Sequence, residues 1–137
     1  LKQYGQFTDD GMPRFTLEQA NLLLPKLIEL TEQVIESLQD AKDRMESEQL
    51  FNEEDARQSY DLQVALTLER WSQQVLKLGA YPKGYFTVDF KSMIPETLLC
   101  WTYGETKITH THKVWENFKH RRPIEHPEVY SFAFSLN

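Results

Sequence analysis

The chain has 137 residues, of which 40% are hydrophobic and 26% charged; that is apolar material for one core and too little length for two, so a single domain over 1–137 is expected. A formal net charge of −6 weighs against a general nucleic-acid binder, whose phosphate contacts need clustered Lys and Arg. The one cysteine, Cys100, excludes an intramolecular disulfide framework and a multi-cysteine zinc module, and points to a reducing, cytoplasmic setting.

Residues 1–13 form an extension without the apolar stretch of a signal peptide, and the longest apolar runs, 22–24 and 98–101, are far too short to cross a bilayer, so no membrane insertion is expected. Thr16 followed by Gln19 is a capping-box pattern, with Phe15 in front of it as a staple. Leu17, Ala20, Leu24, Leu27, Thr31, Val34, Leu38, Ala41 and Met45 then recur at steps of three and four, the period of a long amphipathic helix. Pro25 lies inside this pattern and predicts a kink, because it cannot donate to the carbonyl of Asn21. The acidic segment 46–55 reverses the chain, and Asn52 is placed to cap a second helix. That helix carries Val64, Leu68, Trp71, Val75 and Leu78 on one face and stops at Gly79. Residues 16–79 therefore read as an antiparallel helical hairpin.

The period changes to two after Pro82-Lys83-Gly84: Phe86, Val88 and Phe90 alternate with Tyr85, Thr87 and Asp89. A turn over 91–96 leads into a second strand over 97–103. A third over 107–112 is expected to put Ile108, His110 and His112 on one face, against Thr109 and Thr111. Residues 113–120 predict one or two helical turns with Val114, Trp115 and Phe118 inward, followed by an irregular segment. Tyr130, Phe132, Phe134 and Leu136 alternate with small residues as a final strand. The expected fold class is α+β: a long antiparallel helical hairpin (16–79) packed with a small antiparallel β-sheet in a β-rich half (84–137).

Phe15-Thr16-Leu17-Glu18-Gln19-Ala20-Asn21, continued by Leu22-Leu23-Leu24-Pro25, resembles the opening of the bacterial family known as domain of unknown function 2203. Val88-Asp89-Phe90, Leu99-Cys100-Trp101, Gly104-Glu105, His112, Phe118 and Arg121-Arg122-Pro123 resemble its second block in the same order. The resemblance spans 15–123 and implies a small cytoplasmic bacterial protein; it brings no activity with it. The chain departs from the family pattern at Thr111, where an aromatic residue usually precedes the histidine, and in a longer strand before Val88.

Two site readings follow from residue chemistry. Glu105, His110 and His112 would make a facial site for a divalent metal, since a His-x-His pair on a strand projects both imidazoles from one side; two histidines hydrogen-bonded at a rim is the plainer account. Asp89, Glu105, His112 and Arg121 would form a ligand pocket, with Arg121 clamping an anion and His112 or Glu105 handling a proton; a polar network that only ties the fold together uses the same residues. Cys100 reads as a buried small hydrophobe. Lys113, Lys119, His120, Arg121 and Arg122, with Trp115 and Phe118 among them, form a basic stretch that an RNA or anionic partner would need. The hairpin seam, through Leu27, Val34, Leu38 and Met45, is expected to present an interface to a second copy and so build a homodimer. The leading expectation is a non-catalytic, self-associating assembly protein, ahead of a small metal- or anion-binding enzyme and an RNA-associated factor.

Overall fold

The computed structural model describes residues 10–131. The Thr16 hydroxyl accepts the Gln19 amide at 3.1 Å, and the Gln19 side chain accepts the Thr16 amide at 2.9 Å, so the first helix begins with two of its free amides satisfied reciprocally. This helix, α1, runs unbroken from Leu17–Glu48 straight through Pro25. The Asn52 side chain accepts the Asp55 amide at 3.1 Å and opens α2, Glu53–Leu78, whose first turn holds Glu53, Glu54 and Asp55 at the positive end of the helix dipole. Gly79 ends α2 in the left-handed region, at φ 95°, and a Cβ there would lie 2.7 Å from the Pro13 ring. Glycine is required both by the backbone and by the packing of residues 13–15.

Five strands follow: β1 Tyr81–Lys83, β2 Thr87–Lys91, β3 Thr97–Thr102, β4 His110–Lys113 and β5 Arg122–Pro123. They lie in the order β1-β2-β3-β4-β5 with every neighbouring pair antiparallel, a plain meander. The register aligns Val88 with Trp101, Phe90 with Leu99, and Asp89 with Cys100. One face of the sheet, bearing Val88, Phe90, Leu99 and Trp101, packs with Leu17, Leu24, Leu27, Trp71 and Val75 in a single core. The one polar member of the α1 seam, Thr31, is fully buried; its hydroxyl donates to the Leu27 carbonyl at 2.8 Å and accepts the Trp71 indole N–H at 3.0 Å, which fixes the largest side chain of α2.

The hairpin and the antiparallel sheet are as expected; several details are not. Tyr81–Lys83, which includes Pro82 and Lys83 of the expected boundary turn, pairs with β2, and Pro82 is tolerated because β1 is an edge strand. Arg122–Pro123 pairs with β4 in a segment expected to be irregular. The third strand begins at His110, and Ile108 joins the helix-side core, where its amide donates to the Asn21 side chain at 2.8 Å. Val114, Trp115 and Phe118, expected inward, are exposed; among the described residues both α-helices pack on the face of the sheet that bears Val88 and Leu99. Tyr130 closes a 3-10 turn, Pro127–Tyr130, and Phe132, Phe134 and Leu136 lie outside the described residues. Leu27 and Val34, expected to face a second copy, are buried in the chain's own core, and Leu38 packs against it. Leu38 and Met45, farther along the seam, are half-buried.

Candidate functional site

Strand parity sets the chemistry of the second face. Because Val88, Phe90, Leu99 and Trp101 point to the helices, their neighbours Thr87, Asp89, Leu98, Cys100 and Thr102 point away. His110 stands opposite Cys100 and His112 opposite Leu98, so both histidines share that outer face. Both α-helices pack on the inner face; among the described residues the outer one is flanked by loops and by the 3-10 turn Phe118–His120.

Asp89 is 2% exposed and His112 is 4% exposed. His112 Nε2 lies 3.0 Å from Asp89 Oδ1, and its Nδ1 lies 2.9 Å from the Lys113 carbonyl oxygen. A carbonyl has no proton to give. The His112 Nδ1–H therefore donates to the Lys113 carbonyl, and Nε2 is the ring nitrogen that faces Asp89. Cys100 lies against the same carboxylate: burial, together with the negative charge of Asp89, pushes its thiol up to about 12, against a smaller opposing pull from Arg121. Such a thiol stays protonated and is a poor nucleophile. Among the described residues, Asp89, Cys100 and His112 are the one group of three or more potential metal-ligating side chains whose ligand atoms all lie within 4.8 Å of one another.

An ion pair, Glu105–Arg121, stands beside it. Arg121 donates to both oxygens of Glu105, at 3.3 Å and 2.6 Å, and the Thr102 amide donates to Glu105 Oε1 at 2.9 Å. Burial pushes the Glu105 carboxyl up, but these bonds, that of Arg121 foremost, hold it below its ordinary value. Arg121 also lies over the Phe118 ring at 4.5 Å and places Nη1 4.0 Å from Cys100 Sγ. Cys100 thus sits between the two pairs, touching a member of each.

The four expected pocket residues, Asp89, Glu105, His112 and Arg121, do share one face, divided into Asp89–His112 and Glu105–Arg121. Glu105, His110 and His112 do not converge as a ligand set: Glu105 is engaged by Arg121, His112 by Asp89 and Lys113, and His110 Nδ1 lies 2.9 Å from the Thr109 hydroxyl. The basic stretch is largely tied up: Arg121 on Glu105, Arg122 on Glu116 at 2.8 Å, and the Lys113 ammonium on the Thr97 hydroxyl at 3.0 Å. Sequence reasoning read Cys100 only as a buried small hydrophobe and missed its place beside Asp89 and His112. The signal was present, since alternation on either side of the 91–96 turn sets Cys100 opposite Asp89.

Asp89 and His112 form part of the floor of an open groove of about 500 Å³, flanked by Tyr85 on one side and by Val114, Asn117 and Phe118 on the other. A neighbouring groove of about 410 Å³ shares Lys83, Leu98 and Val114 with it. There Asp10 accepts from the Tyr81 hydroxyl and from Lys91, and these bonds, that of Lys91 first, hold its carboxyl far below the usual carboxylate range. No helix among the described residues is long and apolar enough to cross a membrane.

Residues 14–124 match the family described as Uncharacterized conserved protein (DUF2203). Neither a curated protein nor a solved structure matches the chain.

Proposed function

The chain belongs to the DUF2203 family of uncharacterized conserved proteins, and we propose that it binds a small polar ligand in the outer-face groove, with Asp89–His112 as the pair that engages it. One observation carries this reading: a carboxyl–imidazole pair, 3.0 Å apart and almost wholly buried, lines an open groove. Removing two ionisable groups from water costs several kcal/mol each, and an apolar pair of the same volume would often serve the fold as well. A binding site accounts for the cost, since ligand pockets combine apolar walls with a few fixed polar groups. Leu98, Val114 and Phe118 supply the apolar wall, and Thr87, Thr102 and Asn117 supply neutral hydrogen-bonding groups. The ligand that fits has an apolar or aromatic body and one polar head.

Amide-resolved NMR with aromatic fragments bearing an amide, carboxylate or phosphate head tests this. Shifts should concentrate at Tyr85, Leu98 and Val114, and His112→Phe should weaken binding by at least about 10-fold, the worth of one hydrogen bond to a charged group. Fragments that leave these residues unmoved, or that bind His112→Phe as well as the parent, remove the reading.

A second reading, self-association into a homodimer, is favoured by a different observation. Between Val34 and Thr67 the two helices bury only Ala41 and Ala56, while Leu50, Phe51, Leu62 and Leu66 are exposed. Pairing two such hairpins about a two-fold axis would complete a four-helix arrangement there. Light scattering should then give a dimer mass that Leu62→Glu with Leu66→Glu converts to a monomer; a parent chain that is monomeric at high concentration would end it.

A further inference from the structure

The geometry points to a divalent transition-metal site on Asp89, Cys100 and His112, at the floor of the groove. This rests on the groove reading and supplies it with a cofactor. Three donors of different type, a carboxylate oxygen, a thiol sulfur and an imidazole nitrogen, lie within 4.8 Å of one another. Ligands bound tetrahedrally at about 2.0–2.3 Å stand roughly 3–4 Å apart, so a metal fits among them with side-chain adjustments below about 1 Å. The donors come from β2, β3 and β4, adjacent strands whose register holds them in place without help from a loop.

An independent observation concerns the histidine. His112 Nδ1 is bound to the Lys113 carbonyl, and this turns Nε2 toward Asp89. Ligating histidines are held in the same manner, with the second ring nitrogen donating to a carbonyl or carboxylate that fixes tautomer and ring angle. Charge also balances. A carboxylate and a thiolate neutralise a divalent cation, and the nearby Arg121 is already neutralised by Glu105. Binding would release the Cys100 Sγ proton to solvent as the sulfur bonds the metal. A mixed N, S, O set selects zinc-like ions over calcium or magnesium, which prefer oxygen alone. Three protein ligands leave a fourth position. Because Asp89 and His112 line the groove, a ligand there would meet the metal through an anionic or carbonyl oxygen.

The full chain, purified without an affinity tag and stripped with chelator, should be titrated with Co²⁺ alone. One equivalent should bind, with tetrahedral ligand-field bands and a thiolate-to-cobalt charge-transfer band. Cys100→Ser should abolish the charge-transfer band, and His112→Gln should weaken binding by at least about 10-fold. Should either variant fail to fold, the cadmium-113 resonance of the unsubstituted chain reports directly whether sulfur is bound. No charge-transfer band, a band that survives Cys100→Ser, or cadmium without a sulfur ligand would overturn the site and leave a hydrogen-bonded network only. Binding abolished by His110→Gln but indifferent to Cys100→Ser would overturn it as well. Fragment shifts at Tyr85 and Val114 in the stripped protein separate the two ideas: their persistence without metal binding preserves the groove and rejects the metal, whereas metal binding without fragment binding does the reverse.

Discussion

Arg121 illustrates how a single side chain organises the outer face. Its guanidinium is held by both Glu105 oxygens and by the Phe118 ring, so it reaches Cys100 from a fixed direction. The pair has a pH signature whose sign follows from the Glu105 shift. A carboxyl lowered in the folded state favours folding at pH values above its unfolded value, about 4.3, and that contribution is lost as pH falls through the folded value. Glu105→Gln should therefore lose about 1–3 kcal/mol at pH 7, the range for a partly buried, charge-assisted contact, and should lose less than the parent on going from pH 5 to pH 3. Urea unfolding at the three pH values measures both effects. Parallel pH profiles for the two proteins would mean that the pair contributes no differential proton binding.

Elements whose ends carry their own chemistry were legible from sequence, and those defined by a neighbour were not. Thr16, Gln19, Asn52 and Gly79 announce helix ends through side chains that act within three residues, and each does so in the structure. Alternation around Val88 and Leu99 likewise identifies β2 and β3. By contrast, β1 and β5 are three and two residues long, and β1 contains Pro82. They are strands only because β2 and β4 present free edges to them, which no local pattern announces. The same distinction explains 113–120: its aromatic content suggested burial, but burial depends on a covering layer, which the described residues do not supply, and Phe118 stacks on Arg121. At the site, residue types were legible and partnerships were not. Asp89, Glu105, His112 and Arg121 stood out as polar groups, whereas the choice of Arg121 for Glu105 depends on the crossing from β4 to β5 and that of Asp89 for His112 on the register across β2, β3 and β4.

At the scale of the whole molecule, the hairpin has two halves with different support. Residues 17–34 and 67–78 are covered by the sheet and hold Leu24, Leu27, Trp71 and Val75 almost fully buried. The outer half packs helix on helix through Ala41 and Ala56, with Leu38 partly buried, and small side chains gain little from contact. An isolated pair of helices of that length is marginal, so the outer half should open without unfolding the sheet. Amide exchange under native conditions should show 40–64 exchanging at least about 100-fold faster than 20–34 and 68–76, a difference of about 2.7 kcal/mol in local stability. If two copies pair through Leu62 and Leu66, protection of the outer half should rise with protein concentration while the inner half stays unchanged, because mass action stabilises only what the partner covers. Uniform protection along both helices at low concentration would show instead that a single chain stabilises its whole hairpin, and the exposed leucines would then have no partner to explain them.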